Sequence, residues 1–183
     1  MLRAIAPRIE EECGRIDILV NCQGITALKQ ALDFTEDDYD AIMDTNLRSV
    51  FFATLTFGRL MVARKSGSVI NIASLAAHRG WPLALPYSIS KHGVVGLTKT
   101  LAAEWAEHGV RVNAISPGFF ITELNRDKMA PERKERALSR TPAGRFGSVE
   151  ELIGAAVYLS APAAGFVTGA VINVDGGYLA SGI

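Results

Sequence analysis

The chain has 183 residues, of which 49% are hydrophobic and 21% charged, a balance typical of one globular domain with a sizeable core. Lysine plus arginine and aspartate plus glutamate number 19 each, and the zero formal charge argues against binding nucleic acid or an anionic membrane. The two cysteines, Cys13 and Cys22, are too few for a disulfide framework, so we expect a reducing, cytoplasmic setting. The three histidines, His78, His92 and His108, lack metal-ligand spacing, which predicts no metal site.

Segments with helical periodicity alternate with short apolar runs along the chain. Thr35 with Asp38, and later Ser148 with Glu151, have the spacing of capping boxes. Pro86 suits the first turn of a helix, where its missing N–H costs little. The predicted helices cover residues 2–13, 36–64, 86–108, 130–139 and 148–160, and the predicted buried strands cover 16–20, 67–74, 110–116 and 170–174.

This alternation predicts an α/β fold with a doubly wound parallel sheet of the Rossmann type, about four parallel strands with flanking helices, in a single domain over residues 1–183. Residues 153–174 carry no charged side chain, which resembles a membrane span. The breakers at 160–162 and 167–169 instead favour a helix, a loop and a strand, all buried. We therefore expect no membrane partner.

Polar and glycine residues follow the predicted strands at their carboxyl ends, where parallel sheets bind ligands. Asn21 and Gly24 follow the first strand, Ser74 ends the second, and the Pro117-Gly118 pair follows the third. This shared placement indicates a binding site more strongly than any single motif does.

Tyr87 and Lys91 are four residues apart at the start of a predicted helix, so their side chains share one face. A nearby ammonium group favours the phenolate, and we expect Lys91 to lower the pKa of Tyr87 enough for proton transfer at an alcohol or carbonyl oxygen. Ser74, at the tip of a strand, could donate a hydrogen bond to the same oxygen. A tyrosine and a lysine at this spacing often occur by chance, and the serine at the strand end is what favours the catalytic interpretation.

The motifs resemble those of short-chain dehydrogenases/reductases in order and spacing across essentially the whole chain. They are VNCQG (20–24), TNL (45–47), GSVINIAS (67–74), YSISK (87–91), RVNAISPGFFITEL (111–124) and VTGAVINVDGG (167–177). The resemblance implies an oxidoreductase that uses NAD or NADP to interconvert an alcohol and a ketone, with a small-molecule substrate. By the same resemblance it is a homotetramer, assembled through the helices at 47–64 and 86–108 and the C-terminal strand region.

The resemblance also implies a role for each matched residue. Tyr87 is the acid/base, Lys91 lowers its pKa and holds the nicotinamide ribose, Ser74 fixes the substrate oxygen, and Asn46 positions a water in a proton relay. The cofactor-binding residues implied are Asn21, Gly24, Tyr87, Lys91, Pro117, Gly118, Ile121 and Thr122.

Two departures from the family pattern stand out. Cys22-Gln23 replaces the usual Asn-Ala, and the bulk of Gln23 questions close packing of this loop against the cofactor. The strand, Gly-rich turn and helix that open the family fold and bind the pyrophosphate have no counterpart. We therefore expect an N-terminally truncated chain that lacks about two strand–helix units, with weak dinucleotide binding and marginal stability. The strand at 16–20 then becomes an apolar sheet edge.

The sequences of several segments are most similar to those of sugar-acid and polyol members of the family, of the gluconate 5-dehydrogenase and deoxygluconate dehydrogenase kind. Arg79, Arg126 and Lys128 are candidates to hold a substrate carboxylate, although a solvated surface charge is the favoured interpretation of each. A 3-oxoacyl-carrier-protein reductase and a non-catalytic binding or assembly subunit are the alternatives. A serine hydrolase is disfavoured because no Gly-x-Ser-x-Gly elbow surrounds Ser74.

Overall fold

The structure, a computed structural model, describes residues 2–121 and 130–181. Four strands form one parallel sheet in chain order, so each strand is hydrogen-bonded to the next. The strands are β1 (Ile18–Asn21), β2 (Gly67–Ile72), β3 (Val110–Pro117) and β4 (Val171–Val174). In the register of the sheet, Val69 lies beside Leu19 on one side and Val112 on the other. The predicted parallel sheet is confirmed, with strand bounds shifted by up to two residues.

One helix precedes β1 and the others lie between successive strands, as in an α/β alternation. They are α1 (Leu2–Cys13), α2 (Glu36–Met43), α3 (Ser49–Arg64), α4 (Leu85–Trp105), α5 (Pro131–Ser139) and α6 (Ile153–Ser160). Both predicted capping boxes are present: Thr35 with Asp38 opens α2, and Ser148 with Glu151 opens the 3₁₀ turn Val149–Leu152 before α6. Within the described residues, no helix is long and apolar enough to cross a membrane.

Alternate strand residues supply two cores, one on each face of the sheet. On one face Val69 and Val112 pack with Met61 of α3 and Leu101 of α4. On the other face the core contains Ile70, Ile115 and Leu159 of α6, all almost fully buried. Helices on both faces confirm the predicted doubly wound arrangement.

The long helical region predicted over 36–64 contains an interruption that the sequence did not indicate. A single π-helical segment, Asp44–Arg48, joins α2 to α3. Such wide turns inside helices occur frequently at functional sites. Here the π turn carries Asn46, whose side chain is completely buried.

The strand predicted to be buried at 16–20 is buried only in part. The strand is Ile18–Asn21 and lies at the edge of the sheet, with β2 as its hydrogen-bonded neighbour. Leu19 packs into the core under α3 and α4, but Ile18 and Val20 point to the other face and remain nearly half exposed. On that face α6 covers β2 and β3 instead. The expected apolar edge is therefore present.

Candidate active site

A cleft lies at the carboxyl ends of β1, β2 and β3, beside the first turns of α4. Six of the residues predicted from the sequence line it. Its full lining is Cys22, Gln23, Gly24, Ile25, Thr26, Ile72, Ala73, Ser74, Tyr87, Lys91, Pro117 and Gly118. Parallel strands bring their ends to one edge of the sheet, which is why residues so distant in the chain meet here.

Tyr87 and Ser74 both line this cleft, and the Ser74 side chain is close enough to the Tyr87 phenol to influence its pKa. The predicted lowering of the Tyr87 pKa is wrong for this structure. Burial of the phenol raises its pKa above the ordinary value of 10.0, and Ser74 only partly offsets the rise. Tyr87 is accordingly a neutral phenol at physiological pH, which is the form that donates a proton.

Lys91 lies beneath Tyr87, one helical turn further along α4. Its ammonium group lies 5.8 Å from the centroid of the Tyr87 ring and donates a hydrogen bond to the carbonyl oxygen of Ile72 at 2.8 Å. The residue is only 3% exposed, and burial lowers the lysine pKa from 10.5 to about 8. The sequence motif did not predict this shift, because the motif does not state how deeply the lysine is buried.

Ser74 occupies the loop that leaves β2, in an extended conformation before the short 3₁₀ turn Leu75–Ala77. Its hydroxyl oxygen accepts a hydrogen bond from the backbone N–H of Ala76 at 3.2 Å. Its carbonyl oxygen accepts from the N–H of Ala77 at 3.0 Å. Local hydrogen bonds therefore fix both the side chain and the backbone of this residue.

Asn46 lies behind the cleft rather than in its lining. The π turn directs its carboxamide to the loop after β1, where it bonds to both backbone groups of Ile25 and also donates to the Ser90 hydroxyl at 3.2 Å. The predicted role in a proton relay stays a prediction. What the geometry adds is a structural role, since Asn46 holds the loop that forms one wall of the cleft.

Asn21 is 3% exposed and belongs to a buried polar network. Its Nδ2 donates to Thr54 Oγ1 at 2.9 Å and to Asn71 Oδ1 at 2.8 Å. Asn71 in turn donates to Thr98 Oγ1 at 2.9 Å. The network ties β1 and β2 to α3 and α4. Cofactor contact by Asn21 stays a prediction, and the described side-chain contacts are structural.

Two glycines of the cleft face other parts of the protein. A Cβ atom built at Gly24 would lie 3.4 Å from the Lys91 ammonium nitrogen, and one at Gly118 would lie 2.6 Å from the Cα of Asp175. Pro117 lines the cleft, and Ile121 is the last described residue of that loop. Thr122, Arg126 and Lys128 lie outside the described residues. The side chain of Gln23 is directed in part to α3, where its amide nitrogen donates a hydrogen bond to the Ser49 hydroxyl at 2.9 Å.

An aromatic cluster joins three loops next to this cleft. Phe119, directly after Gly118, contacts Trp81 in a tilted arrangement at 5.8 Å and Tyr178 edge-to-face at 5.6 Å between ring centroids. Arg79 donates to the carbonyl oxygens of Leu179 and Ser181. The guanidinium thus anchors the C-terminal segment, a role that sequence reasoning missed because its partners are backbone atoms.

All three histidines and both cysteines lie in the part of the chain that the structure describes. In that part, no group of three or more histidine, cysteine or acidic side chains is placed to hold a metal ion. Cys13 and Cys22 are both free and exposed. Cys22 also lines the cleft.

A family model for short-chain dehydrogenases/reductases, described as "Enoyl-(Acyl carrier protein) reductase", matches residues 1–179. The chain belongs to the short-chain dehydrogenase/reductase family. Membership confirms the predicted family, whose members are NAD(P)-dependent oxidoreductases.

Named relatives lie within this family. The chain is 42% identical over 174 residues to gluconate 5-dehydrogenase of Gluconobacter oxydans, covering 94% of this chain and 68% of that protein. It is 39% identical over 176 residues to 3-oxoacyl-[acyl-carrier-protein] reductase of Thermotoga maritima, covering 96% and 71%. A crystal structure of gluconate 5-dehydrogenase from Burkholderia cenocepacia, in complex with NADP and tartrate, superposes with a TM-score of 0.95 at 40% identity, covering 99% and 71%.

Proposed function

We propose that this protein interconverts a secondary alcohol and a ketone with NAD(P), and that Tyr87 is its acid/base. The observation that carries the proposal is the meeting of Ser74, Tyr87 and Lys91 in one cleft at the strand ends. A nucleophilic role for Ser74 has less support, because its described partners are Tyr87 and the Ala76 N–H, and neither acts as a base at neutral pH.

In the reductive direction the neutral Tyr87 donates its proton to the ketone oxygen, which Ser74 holds by a hydrogen bond. A nicotinamide bound in the cleft would supply the hydride. In the oxidative direction Tyr87 must give up its own proton first, and burial opposes this. Ser74 offsets part of the effect of burial, and we propose that the Lys91 ammonium group, 5.8 Å from the ring centroid, also favours the phenolate during the reaction.

The residues that line the cleft fit a dinucleotide. An ammonium group carries three hydrogen-bond donors, and Lys91 uses one for Ile72, so others can reach ribose hydroxyls. Gly24 and Gly118 line the cleft with backbone atoms. Lys91, Gly24, Pro117 and Gly118 would hold the nicotinamide end. NADP is the first cofactor to test, since the relative from Burkholderia cenocepacia was crystallised with it.

A sugar acid is the substrate class we propose. Relatives at 40–42% identity are named gluconate 5-dehydrogenases, and one of them holds tartrate, a small hydroxy acid. A 3-oxoacyl thioester is the second candidate, favoured by the 39% identity to the Thermotoga maritima reductase. We do not assign Arg79 as the group that binds the substrate carboxylate, because its guanidinium donates hydrogen bonds to backbone carbonyl oxygens.

The deciding experiment is a substrate comparison on the full-length protein. NADPH and NADH oxidation is followed with 5-ketogluconate and with acetoacetyl thioesters. We expect turnover of the keto acid with kcat/KM at least tenfold above that of the thioester. The reverse order would establish the reductase alternative. No turnover of either class, together with no cofactor binding in a titration, would establish the non-catalytic binding subunit.

We further propose that a second copy of the chain covers an apolar groove between α3 and α4. Phe51 and Phe52 are 40% and 43% exposed there, and Leu97 of α4 lines the same groove. Asp44 and Arg48 flank it, so two copies related by a two-fold axis could pair opposite charges. We expect a tetramer by light scattering and a smaller species for Phe52→Glu. A wild-type monomer would refute this assembly.

The cytoplasm is the proposed location, because two free thiols suit a reducing compartment. Fractionation of the native cells, with an assay for the cofactor-dependent activity, tests this.

A further inference from the structure

A short chain of hydrogen bonds connects the surface residue His78 to the backbone of Ser74. The Nε2 atom of His78 lies 2.8 Å from the hydroxyl oxygen of Ser116. The same hydroxyl lies 3.4 Å from the carbonyl oxygen of Ser74. Ser116 is completely buried at the end of β3, so water cannot substitute for either partner. His78 therefore reaches the substrate-binding serine through one intermediate.

The Ser116 hydroxyl has a single hydrogen, which can serve one acceptor at a time. When Nε2 of His78 carries no proton, the Ser116 hydroxyl donates its hydrogen to Nε2 at 2.8 Å. The carbonyl oxygen of Ser74, 3.4 Å away, then accepts at most a weak hydrogen bond. When His78 is protonated, both ring nitrogens are donors. Nε2–H must then donate to Ser116, and the Ser116 hydrogen becomes available to the carbonyl oxygen of Ser74.

We propose that His78 is a positioning residue for the reaction, and that its protonation tightens the anchoring of Ser74 through Ser116. The inference rests on the proposed function for its kinetic consequence but not for its structural one. Ser74 holds the substrate oxygen beside Tyr87, so a firmer loop lowers the cost of reaching the reactive geometry. The rate of the reaction then depends on pH on the acid side, and this dependence is separate from the titration of Tyr87 and Lys91.

The surroundings of His78 place this dependence below neutral pH. Partial burial and the positive charges of His92 and Lys99 on α4 lower the pKa of His78 from 6.5, and Asp175 after β4 acts in the opposite direction. His78 is thus mainly neutral at pH 7 and becomes protonated as the pH falls further. Lys91, with a pKa of about 8, and Tyr87, with a raised pKa, are both fully protonated in that range.

The first test is spectroscopic and does not need turnover. Imidazole ¹⁵N shifts of the full protein are recorded between pH 5 and 8, and the His78 signals are identified by their loss in His78→Gln. We expect Nδ1 to carry the proton at pH 8 and Nε2 to be bare, with Nε2 gaining a proton on acidification. A neutral His78 that carries its proton on Nε2 at pH 8 would overturn the proposal, because Ser116 would then already be free to donate to Ser74.

The second test is the pH profile of kcat/KM for ketone reduction. We expect an increase of about threefold as the pH falls through the His78 titration, the size of one modest hydrogen bond. His78→Gln, which keeps a permanent donor, and Ser116→Ala, which removes the connection, should both lose this step. His92→Gln is the matched control: it removes a neighbouring positive charge, so the step should persist with a slightly higher midpoint.

The two tests separate failure of the inference from failure of the proposed function. A step that persists in both His78→Gln and Ser116→Ala would overturn the positioning role. If no substrate class is turned over but the tautomer and its titration are as expected, the hydrogen-bond chain stands and the proposed reaction is what fails.

Discussion

Asn46 is hydrogen-bonded to the backbone of Ile25 through both ends of its carboxamide. Oδ1 accepts from the Ile25 N–H at 2.8 Å, and Nδ2 donates to the Ile25 carbonyl oxygen at 2.8 Å. This pairing imitates one rung of a β-ladder and satisfies two backbone groups in a segment without secondary structure. The loop that follows β1 is therefore held in the cleft by a side chain 21 residues away.

Replacement of Asn46 by alanine should destabilise the fold as well as impair activity. Both backbone groups of Ile25 would lose their partner, and each partly buried unsatisfied group costs about 1–3 kcal/mol. We expect the free energy of unfolding to fall by about 2–4 kcal/mol in chemical denaturation. Asn46→Asp keeps the acceptor for the N–H but places a buried carboxylate oxygen against the Ile25 carbonyl oxygen, so it should be at least as destabilising as Asn46→Ala.

The control for Asn46 is Asn173→Ala, since Asn173 is an exposed residue of β4. Its effect should stay within about 0.5 kcal/mol, as for most surface substitutions. Loss of activity in Asn46→Ala with an unchanged free energy of unfolding would favour the water-relay role alone and contradict the structural role.

Tyr87→Phe should abolish turnover while leaving the fold intact. The phenylalanine ring fills the same space, and the substitution removes the proton donor beside Ser74. We expect kcat for ketone reduction to fall by about 10²- to 10⁴-fold, the usual contribution of a positioned acid. Cofactor binding, measured by fluorescence titration, should change less than threefold.

The matched variant for Tyr87→Phe is Tyr39→Phe, which removes the same hydroxyl from a residue of α2 that is 45% exposed. It should retain wild-type kcat. If Tyr87→Phe retained more than a tenth of the wild-type kcat, another group would have to supply the proton, and the assignment of Tyr87 as acid would be wrong.

How far the sequence predicts the site depends on the kind of information each residue carries. Thr35 with Asp38, and Ser148 with Glu151, were predicted as capping boxes because such boxes are local and both partners lie in the motif. The cleft residues Ser74, Tyr87 and Lys91 were found because strand ends and helical spacing place them together.

Properties set by tertiary environment could not be read in this way. The pKa of Tyr87 rises because the ring is buried, and burial is a property of the whole packed structure. The π turn at 44–48 has no sequence signature, so the orientation of Asn46 towards Ile25 appeared only with the fold. The contact between His78 and Ser116 joins residues 38 positions apart in the chain, which no local pattern reports.

Lys91 should make stability increase with pH on the alkaline side. Its pKa is about 8 in the folded chain and 10.5 as the ordinary value, so between these limits the unfolded chain binds more protons. The free energy of unfolding therefore rises with pH in this window. At about 1.4 kcal/mol per unit, Lys91 should contribute a rise of about 2 kcal/mol from pH 8 to 9.5.

The measurement compares wild type with Lys91→Met in chemical denaturation at pH 7.0, 8.0, 8.8 and 9.5. The methionine variant keeps the apolar stem and has no proton to lose, so the difference between the two proteins should narrow or reverse as the pH rises. The series stops at pH 9.5 because Tyr87, with its raised pKa, acts in the opposite direction above pH 10. Parallel curves for the two proteins would show that Lys91 is not desolvated as described.

Gly118→Ala should be poorly tolerated, because the end of β3 contacts the turn after β4 without space for a side chain. A Cβ atom there would lie 2.6 Å from the Cα and 3.1 Å from the carbonyl oxygen of Asp175, and backbone atoms cannot move aside as a flexible side chain can. We expect a loss of about 1–3 kcal/mol in the free energy of unfolding. Because Gly118 also lines the cleft, the Kd for NADPH should rise, which isothermal titration measures.

The control for Gly118→Ala is Gly80→Ala. Nothing lies within 4 Å of a Cβ atom built at Gly80, so this substitution should leave the free energy of unfolding close to that of the wild type. Equal stability of the two alanine variants would mean that β3 and the turn at Asp175 separate easily, and the cleft wall they form would then be adjustable rather than fixed.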